Sequence, residues 1–395
     1  MFLLCGMMKV EETYSLCALN RLFGFEPKVA HALISHLGSA SEVFRLTAKE
    51  ADQLLGPYSK HRGKICERAY HEAAEEVERL SRQGIRFIGF GSGSYPHLLT
   101  ECDDAPLGLY IRSRTSPAEL FADRRNIAIV GTRDISPYGQ EWCRRIVYEM
   151  GRSSEKPVIV SGLAIGTDIC AHAAALEAGL PTIGVMATGP ETVYPYRHRA
   201  IAERMADTPG CALITDYPPG TAPLAIHFLR RNRIIAGMSE ALILIESKSK
   251  GGGMMTSRLA FSYDRDVYAL PGRIDDLRSQ GCNTLIKDKI AEPIGSAEEL
   301  IGNLGLGTAS RSRKESDEDM LRHIYKDSHD QLNIERMCVI LKAIRQQRGI
   351  TIDELSAVTG LGYPDTARLT SLMEMDGIIS MDLLQRCTIN ARNSR

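Results

Sequence analysis

The strongest charge cluster in the chain is Arg230-Arg231-Asn232-Arg233. Guanidinium groups grip phosphate bidentately, so Arg231 and Arg233 read as phosphate ligands, with Asn232 orienting the run. On a helix the arginines point to different faces, so they need not serve one ligand. The alternative is that one pairs with a core carboxylate and the others are solvated. Ser161-Gly162 offers a hydroxyl and backbone N–H groups for the same chemistry, or a plain tight turn before a helix capped by Asp168. Asp168 and His172 stand one helical turn apart, the spacing of an acid/base pair. A structural histidine is the preferred reading. Gly251-Gly252-Gly253, with Thr256 behind it, costs folding entropy. It reads as a backbone nest for phosphate, or else as a surface loop after Ser247-Lys248-Ser249-Lys250. Arg133 either lines the same crevice or pairs with a nearby carboxylate. Phe228 offers a ring on which a nucleobase can stack, or a core side chain.

These residues follow apolar runs. Ile127–Val130 leads into Gly131-Thr132-Arg133, Val158–Val160 into Ser161-Gly162, and Ala241–Glu246 into the triglycine. Continuous apolar strands are covered on both faces, as in a parallel sheet between helix layers. Ligands then gather beyond the carboxyl ends of the strands. Strands at 127–130, 158–161, 182–186, 211–214, 241–246 and 267–269 alternate with helices at 140–151, 168–178, 197–206, 225–237 and 254–263. Arg86–Phe90 and Gly108–Ile111 add two strands upstream. The expected fold class is α/β: a Rossmann-like, doubly wound, mainly parallel sheet over residues 85–304. A helical SAM-like or helix-hairpin-helix-like domain, 1–84, precedes it, for packing, partner binding or DNA-backbone contact. Residues 305–330, Gly/Ser/Arg-rich and then acidic, read as a flexible linker. Residues 331–395 read as winged-helix-like, with a capping box at Thr351 and Glu354. The helix Pro364–Met375 carries Arg368 beside Asp365 and Glu374, which is acidic for a DNA-reading helix. A protein-contact or accessory role is expected there.

A chain of 395 residues exceeds one ordinary core. Its net charge of −1 excludes a protein basic all over, so a nucleic-acid site must be a local groove. The ten cysteines form no Cys-x-x-Cys pair, so no zinc or thioredoxin-type site is indicated. Reduced thiols in a cytoplasmic protein fit that spacing. No apolar run reaches membrane-spanning length. The apolar start, Met1–Met8, lacks a basic leader and a cleavage site, and Met7 and Met8 are alternative starts. Neither a Walker A sequence nor Gly-x-Gly-x-x-Gly occurs, so no nucleotide cofactor is expected.

Taken in order, Ile129-Val130-Gly131-Thr132-Arg133, Ser136-Pro137-Tyr138-Gly139, Ser161-Gly162 through Asp168, Ala171-His172, Tyr194-Pro195, Arg231-Asn232-Arg233-Ile234-Ile235-Ala236-Gly237 and Pro271-Gly272 resemble the DprA (Smf) family. These are DNA-processing proteins of bacterial natural transformation. The likeness covers about residues 85–300. It implies single-stranded DNA held in the Rossmann-like groove, a homodimer, RecA recombinase as partner, and no catalysis. It places Arg231-Asn232-Arg233 in the DNA pocket and leaves Arg230 outside the motif core. Ile165, Thr167, His198, Leu229 and Gly251-Gly252 depart from the usual family residues. The alternative is a nucleotide hydrolase of the Lonely-guy type. Its Pro-Gly-Gly-x-Gly-Thr-x-x-Glu loop, aligned on Gly252-Gly253, meets Met255 and Leu259 in place of the last Gly and the Glu.

Overall fold

Apolar runs too short for helices become strands because both of their faces are covered. The structure is a computed structural model. It describes residues 2–122, 124–307, 321, 324–325, 330–347, 349–382 and 385–389, with side chains from residue 10 onward. Two compact units divide the chain, residues 1–306 and 307–395. The strands of the first are β1 (Ile85–Gly89), β2 (Gly108–Arg112), β3 (Asn126–Val130), β4 (Val158–Ser161), β5 (Thr182–Val185), β6 (Ala212–Thr215), β7 (Ala241–Leu244), β8 (Asp266–Ala269) and β9 (Glu292–Pro293). They pair in the order β1-β2-β6-β5-β4-β3-β7-β8-β9. From β6 to β9 every pairing is parallel, while β2 runs antiparallel to both β6 and β1. The large, mostly parallel α/β sheet is thus as expected. The chain winds outward from β3 to β6, then crosses back to place β7 on the other side of β3. The switch point lies between β3 and β7, where such sheets open a crevice.

The helices of this unit are α1 (Phe2–Phe23), α2 (Pro27–Leu37), α3 (Ala40–Arg45), α4 (Ala48–Leu55), α5 (Glu67–Arg82), α6 (His97–Thr100), α7 (Pro117–Leu120), α8 (Pro137–Arg152), α9 (Thr167–Glu177), α10 (Arg199–Asp207), α11 (Ala225–Gly237), α12 (Gly252–Ser262), α13 (Gln280–Lys287) and α14 (Ala297–Asn303). Alternation along β3 assigns them to faces. Ala128 and Val130 join the core made with Ile234 and Ile235 of α11 and Ala260 of α12. Ile127 and Ile129 join Ile146 and Val147 of α8 and Ala171 and Ala174 of α9. Helices α1 to α5 do not stand free of the sheet. Leu16, Leu19 and Phe23 of α1 pack with Phe87 and Tyr110 of β1 and β2. Gly38 ends α2 in the left-handed conformation, as its position implies.

Of the expected linker, residues 308–320, 322–323 and 326–329 lie outside the described ones. Leu306 is buried in the core of the first unit and Leu321 in that of the second. The second unit has helices at Gln331–Gln346, Ile352–Thr359 and Tyr363–Met375. Its strands β10 (Ile350–Thr351), β11 (Ile379–Met381) and β12 (Arg386–Ile389) form an antiparallel sheet in the order β10-β12-β11. The capping box at Thr351 and Glu354 is present.

Candidate nucleic-acid interface

The loops after the parallel strands meet at the carboxyl end of the sheet, and their small residues let them pack closely. Gly166 has φ of 86°, and a Cβ there would strike the Thr132 carbonyl. The loop after β4 therefore docks on the turn after β3. Thr167 completes the contact by donating both its N–H (3.1 Å) and its hydroxyl (3.2 Å) to the Thr132 carbonyl. That contact fixes the base of Arg133. The Arg133 side chain is exposed, its guanidinium carbon lies 5.4 Å from the Phe228 ring centroid, and among the described residues it pairs with no carboxylate. Tyr194, from the loop after β5, lies 5.4 Å from the same ring and is half exposed. Phe228 is partly buried. The sequence singles out Arg133 and Phe228 from separate motifs, and the fold brings them into contact. It does not single out Tyr194 as a site residue, whose one signal is its place in the Tyr194-Pro195 pair.

The arginine run is placed differently from the expectation of a phosphate grip. Arg231 is buried, and its guanidinium donates to the carbonyls of Gly162 and Val185 and to Asn232 Oδ1. A Cβ on Gly162 would collide with that guanidinium. Burial pushes the Arg231 pKa down to about 10, against the pull of Asp168, so it stays charged at neutral pH. Arg233 is buried too. It forms a 2.6 Å ion pair with Asp216 and donates to the Asp104 carbonyl. Arg230 reaches the other way, to the carbonyls of Gly24 (2.6 Å) and Phe25 (3.0 Å). The three arginines thus tie α11 to the ends of β4 and β5, to the loops preceding β2 and following β6, and to the turn between α1 and α2. Buried acceptors inside the fold, distant in sequence, engage the Arg231 guanidinium and the terminal nitrogens of Arg233, which is the physical reason for the difference. Asn232 is buried beside Arg231.

The remaining expected ligands divide into backbone and side chain. The Ser161 hydroxyl is fully buried and donates to the Ile129 carbonyl (2.6 Å), so it faces the sheet rather than the crevice. Thr256 is likewise turned back, donating to the Gly252 carbonyl (3.1 Å). Gly251 is the N-cap of α12, and Gly252 and Gly253 open its first turn. N–H groups of a first helical turn lack intrahelical acceptors. Gly253 sits against the β3 turn, since a Cβ there would lie 3.3 Å from Gly131 Cα. Gly252 is exposed, and so are Lys248 and Lys250 just before it.

Asp168 is not the cap of α9, which is Gly166. It sits in the first turn and accepts from the Ala164 N–H (3.2 Å), fixing the loop after β4. Burial raises its pKa, and the nearby Arg231 opposes that rise. His172 is fully buried with Nδ1 2.7 Å from the Thr182 hydroxyl. Thr182 donates to the Ile159 carbonyl, so the imidazole Nδ1–H donates to the hydroxyl. His172 is therefore a structural residue that ties α9 to the start of β5. At the switch point the Glu246 carboxylate, only 1% exposed, accepts from both the N–H (2.9 Å) and the hydroxyl of Ser136, the N-cap of α8. The chain supplies its own anion at this helix N-terminus, a feature that the sequence reading missed.

The chain is similar in sequence and fold to known DNA-processing proteins. DNA processing protein DprA of Bacillus subtilis (strain 168) is 36% identical over 238 residues, 60% of this chain and 77% of that protein. The X-ray structure of DNA processing protein A from Streptococcus pneumoniae is 28% identical, with a TM-score of 0.59 over 74% of this chain and 96% of that one. DNA processing protein A from Helicobacter pylori, described for its single-stranded DNA binding mode, is 26% identical. Its TM-score is 0.50, over 56% of this chain and 95% of that one. Residues 86–305, more than half of the chain, match the model of the DNA recombination-mediator protein A family, and the chain belongs to that family.

Proposed function

We propose that this chain binds single-stranded DNA at the carboxyl end of its sheet, without sequence preference and without catalysis. The observation that carries the reading is the contact of Arg133 with Phe228, flanked by Tyr194. A cation free of protein carboxylates holds a phosphate, and an aromatic ring beside it stacks a base of any identity. Arg133, the first-turn N–H groups of Gly252 and Gly253, and the exposed Lys248 and Lys250 line the strand's path. Arg231, Asn232, Arg233, Ser161 and Thr256 shape that path from behind. The single-stranded DNA binding mode of the Helicobacter pylori relative supports the same ligand.

The hydrolase alternative is disfavoured at one position. The Lonely-guy loop needs a carboxylate where this chain has Leu259, and Leu259 packs against the apolar core of the sheet. Family membership supports the wider role: a cytoplasmic homodimer that protects incoming strands and loads RecA recombinase during natural transformation and homologous recombination. The second unit, read as winged-helix-like, serves as an accessory or protein-contact module. Its Arg368 is held 3.0 Å from Asn333 Oδ1, and Arg336 pairs with Asp365. No helix among the described residues is long and apolar enough to cross a membrane.

Fluorescence anisotropy with labelled oligo-dT and with duplex of equal length, across a salt series, tests the core of this reading. Strong single-strand and weak duplex binding is expected. Equal binding to both, or none to oligo-dT, overturns it.

A further inference from the structure

We propose a second base-stacking platform, formed by Phe25 and Arg230, that lengthens the single-strand site across α11 onto the turn between α1 and α2. This rests on the single-strand reading above. The Arg230 guanidinium carbon lies 4.3 Å from the Phe25 ring centroid, and its nitrogens hold the carbonyls of Gly24 and Phe25. It is the same pairing of cation and ring that Arg133 makes with Phe228. The ring of Phe25 also meets His227 (5.8 Å) and Tyr217 (6.5 Å), yet the residue remains 48% exposed. A single exposed apolar side chain needs no explanation by itself. This one is fixed in place, with the guanidinium of an α11 residue stacked on it.

The turn is anchored on every side. Asn20 donates to the Asp216 carbonyl (2.7 Å), next to the end of β6. Glu26, next in the turn, pairs with His61 (2.6 Å) and Lys60 (3.0 Å). Its negative charge is therefore compensated. Phe228 and Arg230 are two positions apart, which is about 200° around a helix. The two platforms consequently flank α11, and between them lies an exposed apolar ridge of Ile226 and Leu229. A helix is about 10–12 Å across with its side chains, so a very short strand cannot reach both rings. A longer one crosses the ridge and stacks a base on each.

Oligo-dT of increasing length distinguishes the two platforms. Wild-type affinity should rise with length and level off only when the strand spans α11. Phe25→Ala should bind the shortest oligonucleotides as wild type does, level off earlier, and lose about fivefold or more in final affinity. Phe25→Trp should restore the wild-type curve. Its added fluorescence, read against wild type with its lone Trp142, should be quenched by long but not by short oligo-dT. That variant keeps a ring in place, so it answers even if the alanine variant is unstable. A wild-type length curve for Phe25→Ala, or no length-dependent quenching in Phe25→Trp when the strand is bound, overturns the second platform alone. Failure of wild type to bind oligo-dT at any length overturns the first reading and this one together.

Discussion

Arg133 and Arg233 have the same side chain and opposite fates. Arg133 ends in solvent over an aromatic ring, while Arg233 ends in a buried ion pair. The physics of each fixes what its removal does. Breaking a buried pair from one side leaves an unpaired charge, so Arg233→Ala should cost about 3–5 kcal/mol in urea denaturation. Arg133→Ala should change stability by less than about 0.5 kcal/mol. It should weaken oligo-dT binding and lower the salt slope by about 1. Phe228→Ala should weaken binding by about 1–3 kcal/mol with the slope intact, because stacking releases no counterions. A salt slope that falls for Arg233→Ala but not for Arg133→Ala would reverse these assignments. His172 adds a pH dependence. Burial, and then the neighbouring Arg231, depress its folded pKa to about 3, below the ordinary value of about 6.5 for histidine. The unfolded chain thus binds the extra proton first. The stability held by neutral His172 is complete above pH about 6.5 and is lost as pH falls toward about 3, by at most about 1.4 kcal/mol per pH unit. His172→Asn should flatten urea-denaturation midpoints against pH within that window. An unchanged profile would mean the imidazole is not buried neutral.

Elements were more legible than the roles of the side chains they carry. The bounds expected for α11, residues 225–237, are those observed, because an apolar stripe of Ile234 and Ile235 and a following Gly set them locally. The expected strand at 158–161 also coincides with β4. The destinations of the arginines depend on partners far along the chain. Gly162 is 69 residues from Arg231, Asp104 is 129 from Arg233, and Phe25 is 205 from Arg230. Periodicity reports which face of a helix is apolar, not which carbonyl waits opposite a guanidinium. The same limit hid Glu246, read as the end of a strand and found 110 residues away at the start of α8. Its carboxylate fills the space left by Gly139, where a Cβ would lie 2.7 Å from Glu246 Cδ. Glu246→Ala should leave the Ser136 N–H and hydroxyl without their shared acceptor, while the Ser136 hydroxyl still caps α8 at the Gly139 N–H. A loss of about 1–3 kcal/mol is expected in thermal or urea unfolding. A stability equal to wild type would show that water replaces the carboxylate there.

At the scale of the whole molecule, net charge decides how the binding must respond to salt. The chain carries 48 basic and 49 acidic residues, so no overall field draws a polyanion to it. In the proposed site, attraction comes from local cations, and Arg133, Lys248 and Lys250, placed on the strand's path above, are exposed. Three phosphate contacts on a single strand give a slope of log affinity against log salt of about −2. A protein that wraps DNA in a broad basic surface would show a far steeper one. All three cations lie in the unit that ends at Leu306, whose side chain is buried in that unit's core. Truncation after Gly307 therefore keeps Leu306 and the core around it in the chain. The truncated chain should unfold with the same midpoint as the corresponding transition of the full chain, and bind oligo-dT with the same slope of about −2. A shallower slope after truncation would place phosphate contacts on the helices at 331–375. Their pairing of Arg336 with Asp365 and of Arg368 with Asn333 argues against such contacts.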